Sequence, residues 1–230
     1  MILTKDKLTS TYENIFTKVG LADGLAPLLF RLILAPVMII AGYNKLGMSN
    51  PEASFGESLL ADPNVVSWFG NPDWGLGLPF PDLLAFLAAW AEFGGGWLLI
   101  FGLLTRFAVI PLMVTMIVAM TSVHWDNGWF AVAPSSGSTS SALFFDWVGF
   151  EQGKLSIENS AEVKERLDVV RSMVDDSRNP DWLKAKGNVV ILNNGIEFAA
   201  TYFAMLLSLL FSGGGRFTSL DYWLKRKVFK

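Results

Sequence analysis

The chain has 230 residues, of which 52% are hydrophobic and 17% are charged, whereas about 25% are charged in a typical soluble domain. Its formal net charge of −3 gives no indication of a nucleic-acid partner, and the absence of cysteine excludes disulfides and thiolate chemistry. The charges are clustered, and the long stretches between the clusters hold almost none. This composition predicts a protein that lies in the lipid bilayer.

Apolar stretches of the chain are long enough to cross a bilayer core, which takes about 20 helical residues. There are four, at 25–46, 81–104, 107–123 and 195–212. No small-residue cleavage site follows the first stretch, so we expect a retained membrane helix and not a secretory signal. The sequence therefore predicts an all-α membrane protein, in which residues 25–212 form a four-helix transmembrane bundle with a long outward loop between the third and fourth helices.

The distribution of Lys and Arg predicts the orientation of these helices. The loop 47–80 is acidic and has no basic residue, whereas the short segments on the other side hold Lys5, Lys7, Lys18, Arg106, Arg216, Lys225, Arg226, Lys227 and Lys230. Because basic short loops stay in the cytoplasm, we expect a cytoplasmic N-terminal segment, 1–24, and a basic cytoplasmic tail, 213–230. The loop 125–194 contains basic residues too, but segments of that length translocate largely regardless of charge.

The long outward loop is predicted to be partly helical. Asn159 is a candidate cap, and the helix it begins should end before Pro180. Its apolar positions have heptad spacing and are Val163, Leu167, Val170 and Val174. A second short helix is predicted from an Asp181 cap to Gly187.

Ionisable residues inside a span usually face the bundle interior and have a partner. Arg31 and Glu92 are the intramembrane candidates, and each shares a helical face with small or apolar residues. These faces are Arg31, Ala35, Met38, Gly42 and Lys45 on the first helix, Ala85, Ala88, Glu92, Gly95 and Leu99 on the second, and Glu197, Thr201, Ala204 and Ser208 on the fourth. From the depths of the two residues along their helices we expect an Arg31–Glu92 ion pair. A purely structural role for this pair is weighted equally with a functional one.

A second group of polar residues falls at the outer ends of the helices. This outer-mouth cluster consists of Lys45, His124, Asp126, Asn194 and Glu197, with Asn193 beside them. It is a candidate site, and simple helix capping at the membrane surface explains it equally well. No catalytic residue is assigned, because the sequence has no CxxC, HExxH, P-loop or dinucleotide fingerprint, and one histidine cannot supply paired haem ligands.

The third helix carries methionines on the face that leads to the histidine. Met113, Met116, Met120 and His124 recur at steps of three and four residues. Thioether and imidazole ligands suit Cu(I), which makes these residues a candidate metal contact. Methionine more often fills gaps in a packed bundle, and that is the favoured interpretation.

Taken in order, several motifs resemble the DoxX family of small bacterial four-helix membrane proteins. They are "RLILAPVMIIAGYNKL", the glutamate followed by glycines in "AEFGGGW", the turn "GLLTR", the histidine of the third helix, and the final "GGGRFTSLD". The resemblance covers nearly all of 25–221. The long loop, between "HWDNGWFAV" and "LNNGIEF", is similar to the HvfX-type branch associated with maturation of copper-binding ribosomal peptides.

The resemblance implies a multi-pass protein of the bacterial inner membrane in a redox or metal-stress setting. The first hypothesis is an accessory protein that serves a redox or copper-linked membrane or periplasmic partner. The second is the membrane subunit of a quinone-linked oxidoreductase of the thiosulfate:quinone type, in which Arg31, Glu92, His124 and Glu197 would bind quinone or carry protons. A small transporter ranks lower because the spans are few and continuous. Quinone and copper ion are the candidate cofactors, and a homo-oligomer is compatible with the chain.

Overall fold

The computed structural model describes residues 20–228 together with residues 10, 12, 13 and 17. Lys5, Lys7, Lys18 and Lys230, which entered the prediction of orientation, lie outside the described residues. The chain forms two compact units. One comprises Met1–Ser122 with Ala199–Lys230, and the other is Val123–Phe198.

The described residues are helical and contain no β-strand, only two isolated bridges, Leu46 with Ala61 and Val132 with Leu192. The α-helices, in chain order, are α1 (Leu25–Lys45), α2 (Phe55–Ser58), α3 (Pro63–Gly70), α4 (Pro81–Phe101), α5 (Thr105–Val118), α6 (Ala142–Trp147), α7 (Glu151–Asp175), α8 (Pro180–Lys184), α9 (Glu197–Ser212) and α10 (Leu220–Val228). A π-helix, Ala119–His124, and a 3₁₀ turn, Trp125–Asn127, continue α5. Further 3₁₀ turns lie at Gly20–Ala22, Gly47–Ser49 and Gly137–Thr139.

Among the described residues, three helices are long and apolar enough to cross a membrane. They are α1 and α4, with 21 residues each, and the continuous helix Thr105–Asn127, with 23. Apolar side chains on their outer surfaces, such as Ile40, Leu83 and Phe107, are more than half exposed. In a bilayer these side chains would face lipid. The fourth predicted span, α9, is also apolar but has only 16 residues.

A single buried core joins the four apolar helices of the first unit. Leu34 of α1, Leu99 of α4, Leu112 of α5 and Leu206 of α9 all belong to it. Each of these leucines is completely buried. The four elements therefore share one buried core.

The faces predicted for α1 and α4 are largely confirmed. Arg31, Ala35, Met38 and Gly42 are buried on α1, and Ala85, Glu92, Gly95 and Leu99 are buried on α4. The small residues allow a very close approach. A Cβ at Gly42 would lie 2.2 Å from the backbone nitrogen of Phe93, and one at Gly96 would lie 2.9 Å from the backbone nitrogen of Ile39. Glycine at these positions lets the two backbones touch.

The face predicted for α9 is wrong. Thr201, Ala204 and Ser208 are exposed, whereas Leu206 and Leu209 are buried in the core. The larger apolar side chains fill the space between the four helices and bury more surface there than the small residues could. The small polar face of α9 is left on the outside of the unit.

The second unit, Val123–Phe198, has a small core of its own around the long helix α7. Val163 and Leu167 are buried against Ala133, with Val189 and Ile191 packed beside them. The helix begins at Glu151, eight residues before the predicted cap Asn159, and the following short helix begins at Pro180 with Asn179 as its cap. Of the predicted heptad positions, Val170 is 40% exposed.

Gly42 provides a direct test of the contact between α1 and α4. We expect Gly42→Ala to lower the free energy of unfolding by about 1–3 kcal/mol, because its Cβ would overlap the backbone of α4. Unfolding of the detergent-solubilised protein measures the change. The matched control is Gly94→Ala on α4, whose Cβ would lie 3.7 Å from the Trp90 ring in ordinary contact. Equal stability of the two variants would contradict the close approach.

Candidate functional site

An ion pair between α1 and α4 is the main polar contact inside the apolar helices. Lys45 Nζ lies 2.5 Å from Glu92 Oε2, and Nζ also donates to the carbonyl oxygen of Ala41 at 3.4 Å. Glu92 is 5% exposed. Side chains on a helix tilt toward its N-terminus, so Lys45, although the last residue of α1, extends back toward the middle of the antiparallel α4.

The predicted Arg31–Glu92 ion pair is therefore wrong. Arg31 is fully buried, and its Nη1 donates to the carbonyl oxygens of Leu99 at 3.1 Å and Ile100 at 3.2 Å. The last carbonyls of a helix lack intrahelical partners, so the end of α4 offers ready acceptors for a guanidinium. Glu92 lies about two turns away along the same helix. The carboxylate is thus left to Lys45.

Arg31 also binds the segment that follows α9. Its Nη2 donates to the carbonyl oxygen of Thr218 at 2.8 Å and lies 3.4 Å from the Thr218 hydroxyl. Gly102, with φ of 60°, leaves room for this guanidinium, since a Cβ there would lie 2.4 Å from Nη1. The Arg31 Nε atom is buried without a hydrogen-bond partner in the described part of the chain.

Asp221 completes this junction. Its carboxylate accepts hydrogen bonds from the backbone nitrogens of Leu104 at 2.7 Å and Thr105 at 2.9 Å, which caps the start of α5. Its own backbone nitrogen donates to the carbonyl oxygen of Gly102 at 2.9 Å. The motifs "GLLTR" and "GGGRFTSLD" therefore meet around Arg31. Thr218 and Asp221 were not predicted as site residues, although both lie in the final motif.

The loop after α1 is held by local hydrogen bonds. Ser54 and Glu57 form a reciprocal cap at the start of α2, with the Ser54 hydroxyl 2.6 Å from Glu57 Oε2. The hydrogen bonds from the Ser54 side chain and backbone lower the pKa of Glu57 below its usual value. The Trp90 indole nitrogen of α4 donates to the carbonyl oxygen of Leu59 at 2.9 Å, which holds the loop against the helix.

In the second unit, side chains of the predicted outer-mouth cluster form hydrogen bonds with backbone atoms. His124 Nδ1 lies 2.8 Å from the carbonyl oxygen of Asn194, so Nδ1 carries the proton in the neutral ring. Asn127 Nδ2 donates to the same oxygen at 3.1 Å. Glu197 Oε2 accepts from the backbone nitrogen of Ala131 at 3.0 Å. The Asp126 side chain is exposed and forms no hydrogen bond or ion pair with the described residues.

These contacts interlock the two segments that flank the long loop. Asn193 Nδ2 donates to the carbonyl oxygens of Asn127 at 2.6 Å and Phe130 at 2.7 Å. A Cβ at Gly195 would lie 2.5 Å from the carbonyl oxygen of Phe130. The network favours the capping role for His124, Asn194 and Glu197. Lys45 belongs to the other unit and is paired with Glu92. A binding or catalytic role for the cluster stays a prediction.

The methionines among the candidate copper ligands lie in or against the apolar core. Met116 is 8% exposed within the core of the first unit, and Met113 and Met120 pack against that core. The helix changes to π-helical winding at Ala119, so the α-helical spacing that led from Met120 to His124 is not kept. No group of three His, Cys, Asp or Glu suited to a metal occurs among the residues the structure describes. The packing favours gap filling, and the copper contact stays a prediction.

The described fold is that of an all-helical protein with three helices of membrane length, which indicates a membrane protein. Residues 26–125 match the family model described as DoxX. The match runs from the second residue of α1 to within two residues of the end of the helix Thr105–Asn127, and it supports the DoxX resemblance over those residues. No curated protein and no solved structure matches the chain. The match does not separate the HvfX-type branch from other members of the family.

Removing one partner of the Lys45–Glu92 pair should destabilise the protein more than removing both. We expect Lys45→Gln to cost about 3 kcal/mol of unfolding free energy, because the buried Glu92 charge is left without its partner, and Glu92→Gln to cost less, because the Lys45 side chain is 25% exposed. The double variant should recover part of that loss. Unfolding in detergent provides the double-mutant cycle.

The exposed pair Lys164–Asp168, whose charged atoms are also 2.5 Å apart, is the matched control. Its coupling energy should be about 0–1 kcal/mol, because exposed pairs contribute little. Single Lys45 and Glu92 variants that are no less stable than the control variants would contradict a buried ion pair.

Proposed function

We propose that this chain is a DoxX-type accessory protein of the bacterial inner membrane that serves a redox or copper-linked partner. The family match and the apolar helices support its place in the membrane. The separate unit Val123–Phe198 would provide the surface for the partner. A long loop with its own core suits the HvfX-type branch more than the shortest DoxX proteins.

In this proposal the chain spans the membrane four times, with α9 as the last span and both termini in the cytoplasm. The turn between α4 and α5 contains Arg106 and would face the cytoplasm. The loop between α1 and α4 is acidic and lacks Lys and Arg, so it would face the periplasm with the second unit. A helix of 16 residues can span if its neighbouring residues reach the headgroups or the bilayer thins locally.

The observation that carries the proposal is an aromatic surface on the second unit. Trp147 is 73% exposed, Phe144 58% and Phe150 56%, all in or next to α6. Phe145 joins Phe144 and Phe150 through edge-to-face ring contacts, with centroids 5.6 and 6.2 Å apart. Aromatic residues are enriched at the centres of protein interfaces, and clustered exposed apolar residues mark contact surfaces.

Trp147 should be the anchor of this surface. We expect Trp147→Ala to reduce recovery of the partner about tenfold or more, because buried aromatic anchors dominate interface energies. The measurement is quantitative mass spectrometry of proteins co-purified from native membranes with the tagged full-length chain. Trp182→Ala is the matched control, since Trp182 is 77% exposed in the same unit but lies on α8.

The identity of the captured protein decides the proposal. A redox, metal-stress or peptide-maturation protein that is lost with Trp147→Ala and kept with Trp182→Ala supports it. Unchanged recovery with both variants, or deletion of the gene with no effect on copper or redox tolerance, would contradict it.

A second candidate is a membrane subunit of a quinone-linked oxidoreductase. The Lys45–Glu92 pair favours it, because a buried acid beside a cation within an apolar segment can hold or pass a proton. We then expect the purified protein to carry quinone, and folded Glu92→Gln protein, compared with the unchanged protein at equal amounts, to lose quinone reduction with thiosulfate as donor. The conservative variant Glu92→Asp should retain part of the activity. Protein that lacks quinone and is inert with thiosulfate would remove this candidate.

A further inference from the structure

A cleft lies at the end of the first unit where Arg31 and Asp221 join the helices. Its volume is about 680 Å³. Three cationic residues line it, Arg106 from the start of α5, Arg216 from the glycine-rich segment and Lys225 from α10. The backbone of Gly213–Gly215 forms another part of the wall.

The acidic residues of this cleft only partly offset its cations. Asp23 and Asp221 line it, which leaves one more positive than negative charge. Both carboxylate oxygens of Asp221 already accept hydrogen bonds from the backbone of Leu104 and Thr105. By contrast, Arg216 and Lys225 form no ion pair with the described residues. The cleft is therefore suited to an anion.

An apolar groove continues from this cleft along α4 and α5. It has a volume of about 500 Å³ and is lined by Trp90, Gly94, Leu98 and Pro111, among others. Leu104 and Phe107 line both the cleft and the groove, so the two spaces adjoin. From Trp90 to Leu98 the groove follows about 12 Å of helix. A ligand with an anionic head and a hydrocarbon chain matches a cationic cleft that adjoins an apolar groove.

We propose that the cleft binds the phosphate headgroup of an acidic phospholipid and that the groove holds one of its acyl chains. Arginine and lysine bind phosphate through charge-assisted hydrogen bonds, and juxtamembrane cations attract acidic lipids. Phe107 is 72% exposed and Leu104 is 52% exposed at the point where head and chain would meet. The inference rests on the membrane placement proposed above. Free phosphate carries the same anionic group as the lipid headgroup but has no acyl chain to occupy the groove.

Lipid binding to the purified full-length chain tests this directly. Native mass spectrometry in mild detergent would compare phosphatidylglycerol with phosphatidylcholine at equal concentration, and we expect phosphatidylglycerol to be retained preferentially. Arg216→Gln with Lys225→Gln should weaken its binding about tenfold or more. The matched control, Arg226→Gln with Lys227→Gln, removes the same charge from residues that do not line the cleft and should change binding less than twofold, within about 0.4 kcal/mol.

The groove is tested separately. A Cβ at Gly94 meets only the Trp90 ring, at 3.7 Å, so Gly94→Leu should fold and fill the groove. We expect it to reduce retention of phosphatidylglycerol, whereas Gly56→Leu on α2, at an open position, should not. The thermal midpoint of each variant verifies that it is folded.

Several results would overturn the proposal. They are equal retention of both lipids, equal effects of the cleft and control variants, displacement of the lipid by inorganic phosphate at equal concentration, and a dimer whose interface protects the groove in place of lipid. Because the measurement contains no partner protein, its failure leaves the accessory role standing. Loss of the accessory role would instead appear in the capture experiment with Trp147.

Discussion

A buried arginine and a partly buried lysine on α1 hold that helix to α4, and the rest of the first unit depends on this contact. Lys45 binds the Glu92 carboxylate, and Arg31 binds carbonyl oxygens at the end of α4. Leaving the buried Arg31 or the buried Glu92 without a partner would cost several kcal/mol, so the two contacts restrict where α4 can lie along α1. Between them, Gly42 and Gly96 let the helix backbones approach closely enough for both contacts to form.

The Arg31 contact extends this constraint to the other helices. Thr218 accepts from the same guanidinium, and Asp221, three residues on, caps α5. The positions of residues that are distant in sequence therefore depend on one buried side chain, that of Arg31. The cationic cleft lies at this junction, and its walls come from α5, α10 and the glycine-rich segment. A structural arginine can thus position the surface that we propose binds lipid, without itself lining the cleft.

Hydropathy predicted the apolar helices to within a few residues, because the physical signal there is local and strong. The buried faces of α1 and α4 followed from helical spacing. Helical spacing did not predict the partner of Glu92. The depth of a residue was estimated from the helical rise per residue, which ignores the tilt of side chains and the carbonyl acceptors at a helix end. Helical spacing also predicted the wrong buried face for α9. The large leucines of that helix lie in the core, and the small polar residues are exposed. The bonds of His124 and Asn193 go to backbone carbonyls, which carry no residue-type signal in the sequence.

The pairing of Glu92 tests the account most directly. Solid-state NMR of the membrane-reconstituted protein can measure the dipolar coupling between the Glu92 Cδ carbon and side-chain nitrogens. The Lys45–Glu92 ion pair predicts a strong coupling to a lysine Nζ that disappears in Lys45→Gln, as expected for a nitrogen 2.5 Å from Glu92 Oε2. A coupling to an arginine guanidinium nitrogen, which disappears in Arg31→Lys, would contradict it.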